Sequence, residues 1–145
     1  MQIKPLLFLT AVICFIVLKI ACTADDEHFQ CYRLYDSKKY SEALPMCEKS
    51  CNLNNGIACF ILGFMYEFGK GVAQDYQQTK TYYDKACNLD FDEGCSMLGI
   101  LYETGKGVGQ NFQMAKEYYG KACDLKGHVN QSDCKRYTEL KEKGY

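Results

Sequence analysis

The 36 residues CNLNNGIACFILGFMYEFGKGVAQDYQQTKTYYDKA, from Cys51 to Ala86, are followed at once by CNLDFDEGCSMLGILYETGKGVGQNFQMAKEYYGKA, from Cys87 to Ala122. Nineteen of the 36 aligned positions are identical. Self-similarity at such a period marks one supersecondary unit stacked on itself. A stack of this kind presents a surface more readily than it encloses a pocket.

Each copy reads as two helices. The run Ile57 to Phe68 is apolar on most sides and predicts a largely buried helix. Gly69 follows where a helix end favours the left-handed conformation, and Lys70-Gly71-Val72 makes the turn. Asp75 is a good N-cap, with Gln78 three residues on completing a capping-box pattern for a second helix over Tyr76 to Asn88. The next copy predicts helices over Gly94 to Thr104 and Phe112 to Asp124, with Gly105-Lys106-Gly107-Val108 as the turn and Asn111 as the cap. Gly63 and Gly99 fall mid-helix, where glycine costs about 1 kcal/mol relative to alanine. Close approach of a neighbouring helix is the expected reason, and Ala86 and Ala122 do the same on the second helix. Leu62 and Tyr66, with copies Leu98 and Tyr102, share one helix face. Tyr82-Tyr83 and Tyr118-Tyr119 supply bulk from the second helix.

Outside the repeat, the chain of 145 residues has room for one small domain. Its start reads as an export signal over residues 1–24. Lys4 gives the positive end, Pro5 to Leu18 the uncharged core, and Cys22 and Ala24 the small residues of a cleavage site after Ala24. A bilayer span needs about 20 apolar residues, more than this run supplies. Lipidation of Cys22 is the rival processing outcome, although Lys19 stands where a lipoprotein box has leucine. Contact with a membrane is therefore expected only through the leader. Cleavage leaves 15 Lys and Arg against 18 Asp and Glu, a net charge of −3. That balance argues against a nucleic-acid partner, which would need a strongly basic face.

Eight cysteines remain after cleavage: Cys31, Cys47, Cys51, Cys59, Cys87, Cys95, Cys123 and Cys134. An even count behind an export signal reads as a disulfide framework in an oxidising compartment, the periplasm or the outside medium. Eight cysteines allow on the order of a hundred connectivities, so the period must carry any assignment. Cys51 and Cys59 are eight apart, as are Cys87 and Cys95. In each pair the first ends a second helix and the other begins the next first helix. Cys123 and Cys134 repeat the theme with three extra residues, the loop falling at Gly127 to Asn130. Cys31 and Cys47 then join a helix near Phe29 to Asp36 to one near Tyr40 to Cys51. A bridge closing eight residues contributes about 2.5 kcal/mol by chain-entropy reasoning. Such bridges offset an array shorter than the three or so repeats a stack needs.

The pattern Ala58, Leu62-Gly63, Tyr66, Gly69, Gly71-Val72, Asp75, Lys80, Tyr83, Lys85-Ala86 resembles a Sel-one-like repeat, a relative of the tetratricopeptide repeat. Gly94, Leu98-Gly99, Tyr102, Gly105, Gly107-Val108, Asn111, Ala115-Lys116, Tyr119, Lys121-Ala122 matches it again. The paired cysteines make the chain similar to the secreted cysteine-rich branch found in Helicobacter. The resemblance covers residues 25–145. It implies an all-α fold: a right-handed α/α solenoid of tetratricopeptide-like helix pairs, disulfide-stapled, with a bridge inside each repeat. The parts are then an N-terminal capping pair over 27–55, repeats over 56–91 and 92–127, and a charged C-terminal capping helix over 134–144. Members are often named as β-lactamases, with binding and slow hydrolysis of penicillin-like compounds; others in the wider family act as protein adaptors. No catalytic residue carries over, because no family motif matches one here.

The residues that could carry chemistry have plain structural readings. Ser132-Asp133-Cys134-Lys135 matches the Ser-x-x-Lys of serine β-lactamases, yet no Ser-Asp-Asn or Lys-Thr-Gly accompanies it. Ser132 then reads as a chance match or as the N-cap of the last helix. His28 and His128 are the only histidines, one near each end. Cys47 and Cys51, spaced i and i+4, could suit a metal, but export favours bridges, and no metal or other cofactor is expected. Gly69-Lys70-Gly71 and its copy lack the strand and the spacing of a phosphate loop. No Cys-x-x-Cys suggests a redox role. Glu67 and Glu103, at equivalent places before the turn, read as structural or as lining the inner face.

One stripe breaks the repeat. Phe60, Phe64 and Phe68 lie at helical spacing, where the second copy has Ser96, Ile100 and Thr104. The stripe either packs under the N-terminal cap or anchors a partner on the inner surface of the solenoid. The expected function is a secreted or periplasmic scaffold that binds a protein, a peptide or peptidoglycan through its concave face. The alternative is a slow hydrolase of β-lactams or cell-wall amides, on family resemblance alone.

Overall fold

Both full hairpins reverse at a glycine that takes a positive φ, Gly69 and Gly105, and the hairpin that opens at Gly56 starts from a side chain, Asn55, that accepts from a free amide of the first helical turn. The computed structural model describes residues 29–127 and 131–145. These hold seven helices and no strand: residues 29–36 (α1), Tyr40–Asn52 (α2), Gly56–Phe68 (α3), Tyr76–Asn88 (α4), Asp92–Thr104 (α5), Phe112–Leu125 (α6) and Gln131–Glu142 (α7). The leader, Cys22 and both histidines lie outside the described residues. Consecutive helices pack against one another from α2 through to α7, as in an α/α solenoid. No described helix is long and apolar enough to cross a membrane.

The caps follow from side-chain chemistry. Asn55 Oδ1 accepts from the Ala58 amide at 2.9 Å to start α3. Asp75 Oδ1 accepts from the amides of Gln77 and Gln78 at 2.8 and 3.0 Å to start α4. Asp75 thus caps alone; among the described bonds, the Gln78 side chain makes no return bond to complete the box. Asn111 takes the Met114 amide at 3.0 Å. Gly69 and Gly105 end α3 and α5 at φ 63° and 72°. Two starts fall two or more residues earlier than the sequence pattern suggests. α5 begins at Asp92, because Asp92 and Glu93 suit the positive end of a helix and outweigh the glycine at 94. α7 begins at Gln131, so Ser132 lies inside its first turn and is not its N-cap.

Within a hairpin, the crossing is set by a ring lying on a glycine. A Cβ at Gly63 would stand 2.5 Å from Tyr83 Cδ1, and one at Gly99 would stand 2.7 Å from Tyr119 Cε1. The first hairpin solves the same crossing covalently. Cys47 stands 36 residues before Tyr83, and its bridge to Cys31 brings the two Cα atoms to 4.7 Å. Between hairpins, each turn rests on the first residue of the preceding second helix. A Cβ at Gly71 would meet Tyr40 Cβ at 2.7 Å, and one at Gly107 would meet Tyr76 Cβ at 2.1 Å.

The core is a string of clusters along the stack. Ala43, Leu62, Met65 and Ala86 form the first, Tyr83, Leu98, Leu101 and Ala122 the second, and Ala115, Tyr119 and Leu140 the third. The disulfides run beside them. Cys51–Cys59 ties α2 to α3, Cys87–Cys95 ties α4 to α5, and Cys123–Cys134 ties α6 to α7. Three of the four therefore join one hairpin to the next. Only Cys31–Cys47 lies inside a hairpin. This corrects the expectation of a bridge within every repeat, because the later cysteine of each pair already belongs to the following first helix. Cys47 and Cys51 go to different partners and do not act as a pair. The C-terminal cap is also less solvent-facing than its charges suggest, with Asp133 and Leu140 both buried.

These contacts make a stability prediction. Gly99→Ala should destabilise the oxidised protein by about 1–3 kcal/mol through overpacking against Tyr119. Gly109→Ala, whose Cβ would meet nothing within 4 Å, should change little. Urea unfolding decides it, and equal midpoints for the two variants would contradict the packing argument.

Candidate functional site

The α3 stripe divides along its length. Phe60 stacks on Tyr83 with ring centroids 5.7 Å apart and meets Phe91 at 5.4 Å. It packs against the first and second clusters, so it belongs to the core between hairpins and not to an open face. Phe64 meets the edge of Tyr35 from α1 at 6.1 Å and Phe68 at 4.4 Å. Phe68 is 49% exposed. The N-terminal cap thus covers part of the stripe and leaves its end open. On α5 the counterparts differ in kind. Ser96 donates to Asp133 Oδ2 at 2.8 Å, Ile100 is 39% exposed, and the Thr104 hydroxyl donates to the Ile100 carbonyl at 2.7 Å.

Beneath this face lies a carboxylate that the sequence pattern leaves undecided. Glu67 is only 3% exposed. The Tyr83 hydroxyl donates to its Oε2 at 2.8 Å, and Lys106 from the next turn donates to its Oε1 at 3.1 Å. The second copy repeats the arrangement. Tyr119 donates to Glu103 Oε2 at 2.8 Å, and Arg136 of α7 pairs with the other oxygen. Each acid is therefore held by a tyrosine of its own hairpin and a cation of the following one. The turns are stiffened as well: Gln74 and Gln110 donate to the carbonyls of Glu67 and Glu103 at 2.6 and 2.8 Å.

The turn lysines sit on aromatic rings. Lys106 Nζ lies 5.6 Å from the Phe68 centroid and 5.3 Å from that of Tyr76. Lys70 Nζ lies 5.2 Å from the Tyr40 centroid and 5.3 Å from that of Phe64. A cation over a ring face is held by the ring quadrupole. Each ammonium group thus lies between two rings along the turn end of the stack, Lys70 between Tyr40 and Phe64 and Lys106 between Phe68 and Tyr76.

Elsewhere the readings are structural. Tyr66 stacks on Tyr82 at 5.6 Å and 13°, and Tyr102 on Tyr118 at 5.6 Å and 7°, so each pair offers its ring faces to itself. Ser132 is exposed in α7. The Lys135 side chain is 75% exposed and 3.8 Å from Glu139. This is not the enclosed, pre-aligned setting that an activated serine needs. Two open clefts lie at the disulfide end of the hairpins. One of about 580 Å³ is lined by Glu117, Lys121 and Tyr137, and one of about 260 Å³ by Asn54, Lys85 and Leu89.

Known proteins share this architecture. The family description Sel1 repeat matches residues 56–91 and 92–126. A Sel1 repeat protein from Oxalobacter formigenes is similar at TM-score 0.72 and 26% identity, over 80% of this chain and 46% of that one. The Helicobacter pylori cysteine rich protein B is similar at TM-score 0.66 and 33% identity, over 82% of this chain and 89% of that one. A protective antigen of uropathogenic Escherichia coli with an SLR fold is similar at TM-score 0.74 and 25% identity, over 83% of this chain and 26% of that one. The chain spans under half the length of the Oxalobacter protein and about a quarter of the Escherichia one. None of the curated proteins compared matches.

Two buried phenols, Tyr83 and Tyr119, and the half-buried Tyr118 predict an alkaline limit on the fold. Burial, then the Asp84 carboxylate, pushes Tyr118 up to about 12. Burial, then Asp133, does the same to Tyr119. Burial, then Glu67, raises Tyr83 as well. The folded chain holds these protons more tightly than the unfolded chain, whose tyrosines titrate near 10. Stability should be full below about pH 10 and fall as pH rises from there towards 12. The last phenolate absorbance to appear and the loss of helical circular dichroism should then coincide. Phenolate appearing near pH 10 at all tyrosines, with the helices intact, would contradict the burial argument.

Proposed function

This chain belongs to the Sel1 repeat family, whose helical scaffolds serve protein interaction, and on that premise we propose that it holds an extended segment of a protein partner against the α3–α5 face, outside the cytosol. The observation that carries the reading is the exposure of Phe68 and Ile100 on successive first helices, with Phe64 packed against Phe68 and Lys70 and Lys106 lying over these two rings. An aromatic anchor within a polar rim is the usual anatomy of a protein interface. Hairpins tied by four bridges keep such a face in one shape, which lowers the entropy lost on binding. The same bridges support an oxidising location, periplasm or medium.

Random peptides displayed and selected on the oxidised protein test the reading. Those selected should bind about tenfold more weakly, or worse, to a Phe68→Ser, Ile100→Ser double variant whose unfolding midpoint is unchanged. Peptides that bind both forms equally would move the site off this face. Muropeptides binding where no peptide does would make peptidoglycan the partner instead. The hydrolase alternative rests on family resemblance; nitrocefin turnover that falls with Ser132→Ala would replace the scaffold reading with it.

A further inference from the structure

The turn lysines of successive hairpins are equivalent in place but unequal in what they touch. Lys106 rests on Tyr76 and Phe68 and gives its ammonium to the Glu67 carboxylate. Lys70 rests on Tyr40 and Phe64 in the same way. Its polar contact is the Tyr40 hydroxyl at 3.5 Å, and no carboxylate lies within ion-pair distance of it among the described residues. The cause is in the first hairpin. Cys31–Cys47 occupies the crossing that Gly63 and Tyr83 make in the next hairpin. Tyr35 then stands four residues after Cys31, as Glu67 stands four after Gly63. The first hairpin therefore offers a phenol ring where the second offers a carboxylate. An ammonium left without its counter-charge sits over Phe64, which packs against the exposed Phe68.

We propose that Lys70 reads an acidic side chain, Asp or Glu, in an extended partner segment whose neighbouring apolar residue lies on Phe64 and Phe68. The inference deepens the scaffold reading and rests on it. A side chain fits better than a terminal carboxylate, because chain ends are captured by nests of backbone amides, whereas Lys70 presents one point charge on a long stem. Charge complementarity of this kind selects the partner and its register more than it adds raw affinity. A partly solvated pair of this kind weakens with added salt.

The test uses peptides selected on the full oxidised chain, remade with acetylated and amidated ends. Sequences selected on the natural protein should be enriched in Asp or Glu beside an aromatic or aliphatic residue. Their affinity should fall about tenfold with Lys70→Gln, and changing the peptide acid to its amide should cost nothing further in that variant. Lys70→Gln must keep four disulfides and the same unfolding midpoint, which its surface position favours; Lys70→Arg should restore most of the affinity if the former proves unstable. Peptides that lose binding with Phe68→Ser but ignore Lys70→Gln would overturn the acid inference and leave the scaffold reading standing. Peptides that bind only with a free C-terminus would overturn it in favour of terminal capture. Selection that yields nothing dependent on Phe68 would remove both.

Discussion

A tyrosine ring pressed onto a bare Cα sets the spacing on which the rest depends. Tyr83 lies across Gly63, and that contact carries its hydroxyl one turn further along α3, onto Glu67. With one oxygen engaged by the phenol, the other faces the next turn and takes Lys106. The angle of a hairpin, the burial of an acid and the docking of the following hairpin are thus consecutive links of one chain of contacts. An unpaired buried carboxylate is far more costly than a paired one, so each link holds the others in place. Gly99, Tyr119, Glu103 and Arg136 carry the same logic to the end of the stack.

Much of this was legible in the residues. The apolar run before Gly69, the cap at Asp75 and the Tyr76–Asn88 helix follow from local chemistry that no distant contact overrides. The period of the cysteines pointed to Cys51–Cys59 and Cys87–Cys95 and, with three residues added, to Cys123–Cys134; Cys31 and Cys47 were the two left over, and the structure joins them as well. Glu67 was not legible in the same way. An acid beside an apolar run can face water or the interior, and its burial depends on partners 16 and 39 residues away. The phenylalanine stripe shows the same limit. Helical spacing puts three rings on one face, but only the neighbouring hairpins decide that Phe60 is packed against Tyr83 and Phe91 while Phe68 is left open.

The two ends of each hairpin have separate chemistry. At one end the sulfur bridges fasten helix to helix across short loops. At the other, glycine turns carry lysines over the rings of Phe64 and Phe68. The turn end keeps a structural duty of its own, since its glycines rest on the preceding helix and Lys106 holds Glu67. The Phe68-to-Thr104 and Phe64-to-Ile100 changes between copies fall on the helix face beside that end. The glycine, tyrosine and glutamate that set the crossing are identical in both.

The placement of donor and acceptor also bears on how such a chain can change length. Glu67 and Lys106 belong to different copies, yet each copy contains both a glutamate and a lysine at the corresponding places. Duplicating one whole 36-residue segment would give the new acid a cation from its successor and hand the old acid the newcomer's lysine. No orphan charge is created inside, and the sulfur pairs multiply in step. Growth or excision by whole units is therefore electrostatically silent, whereas a partial unit would strand a carboxylate in the interior.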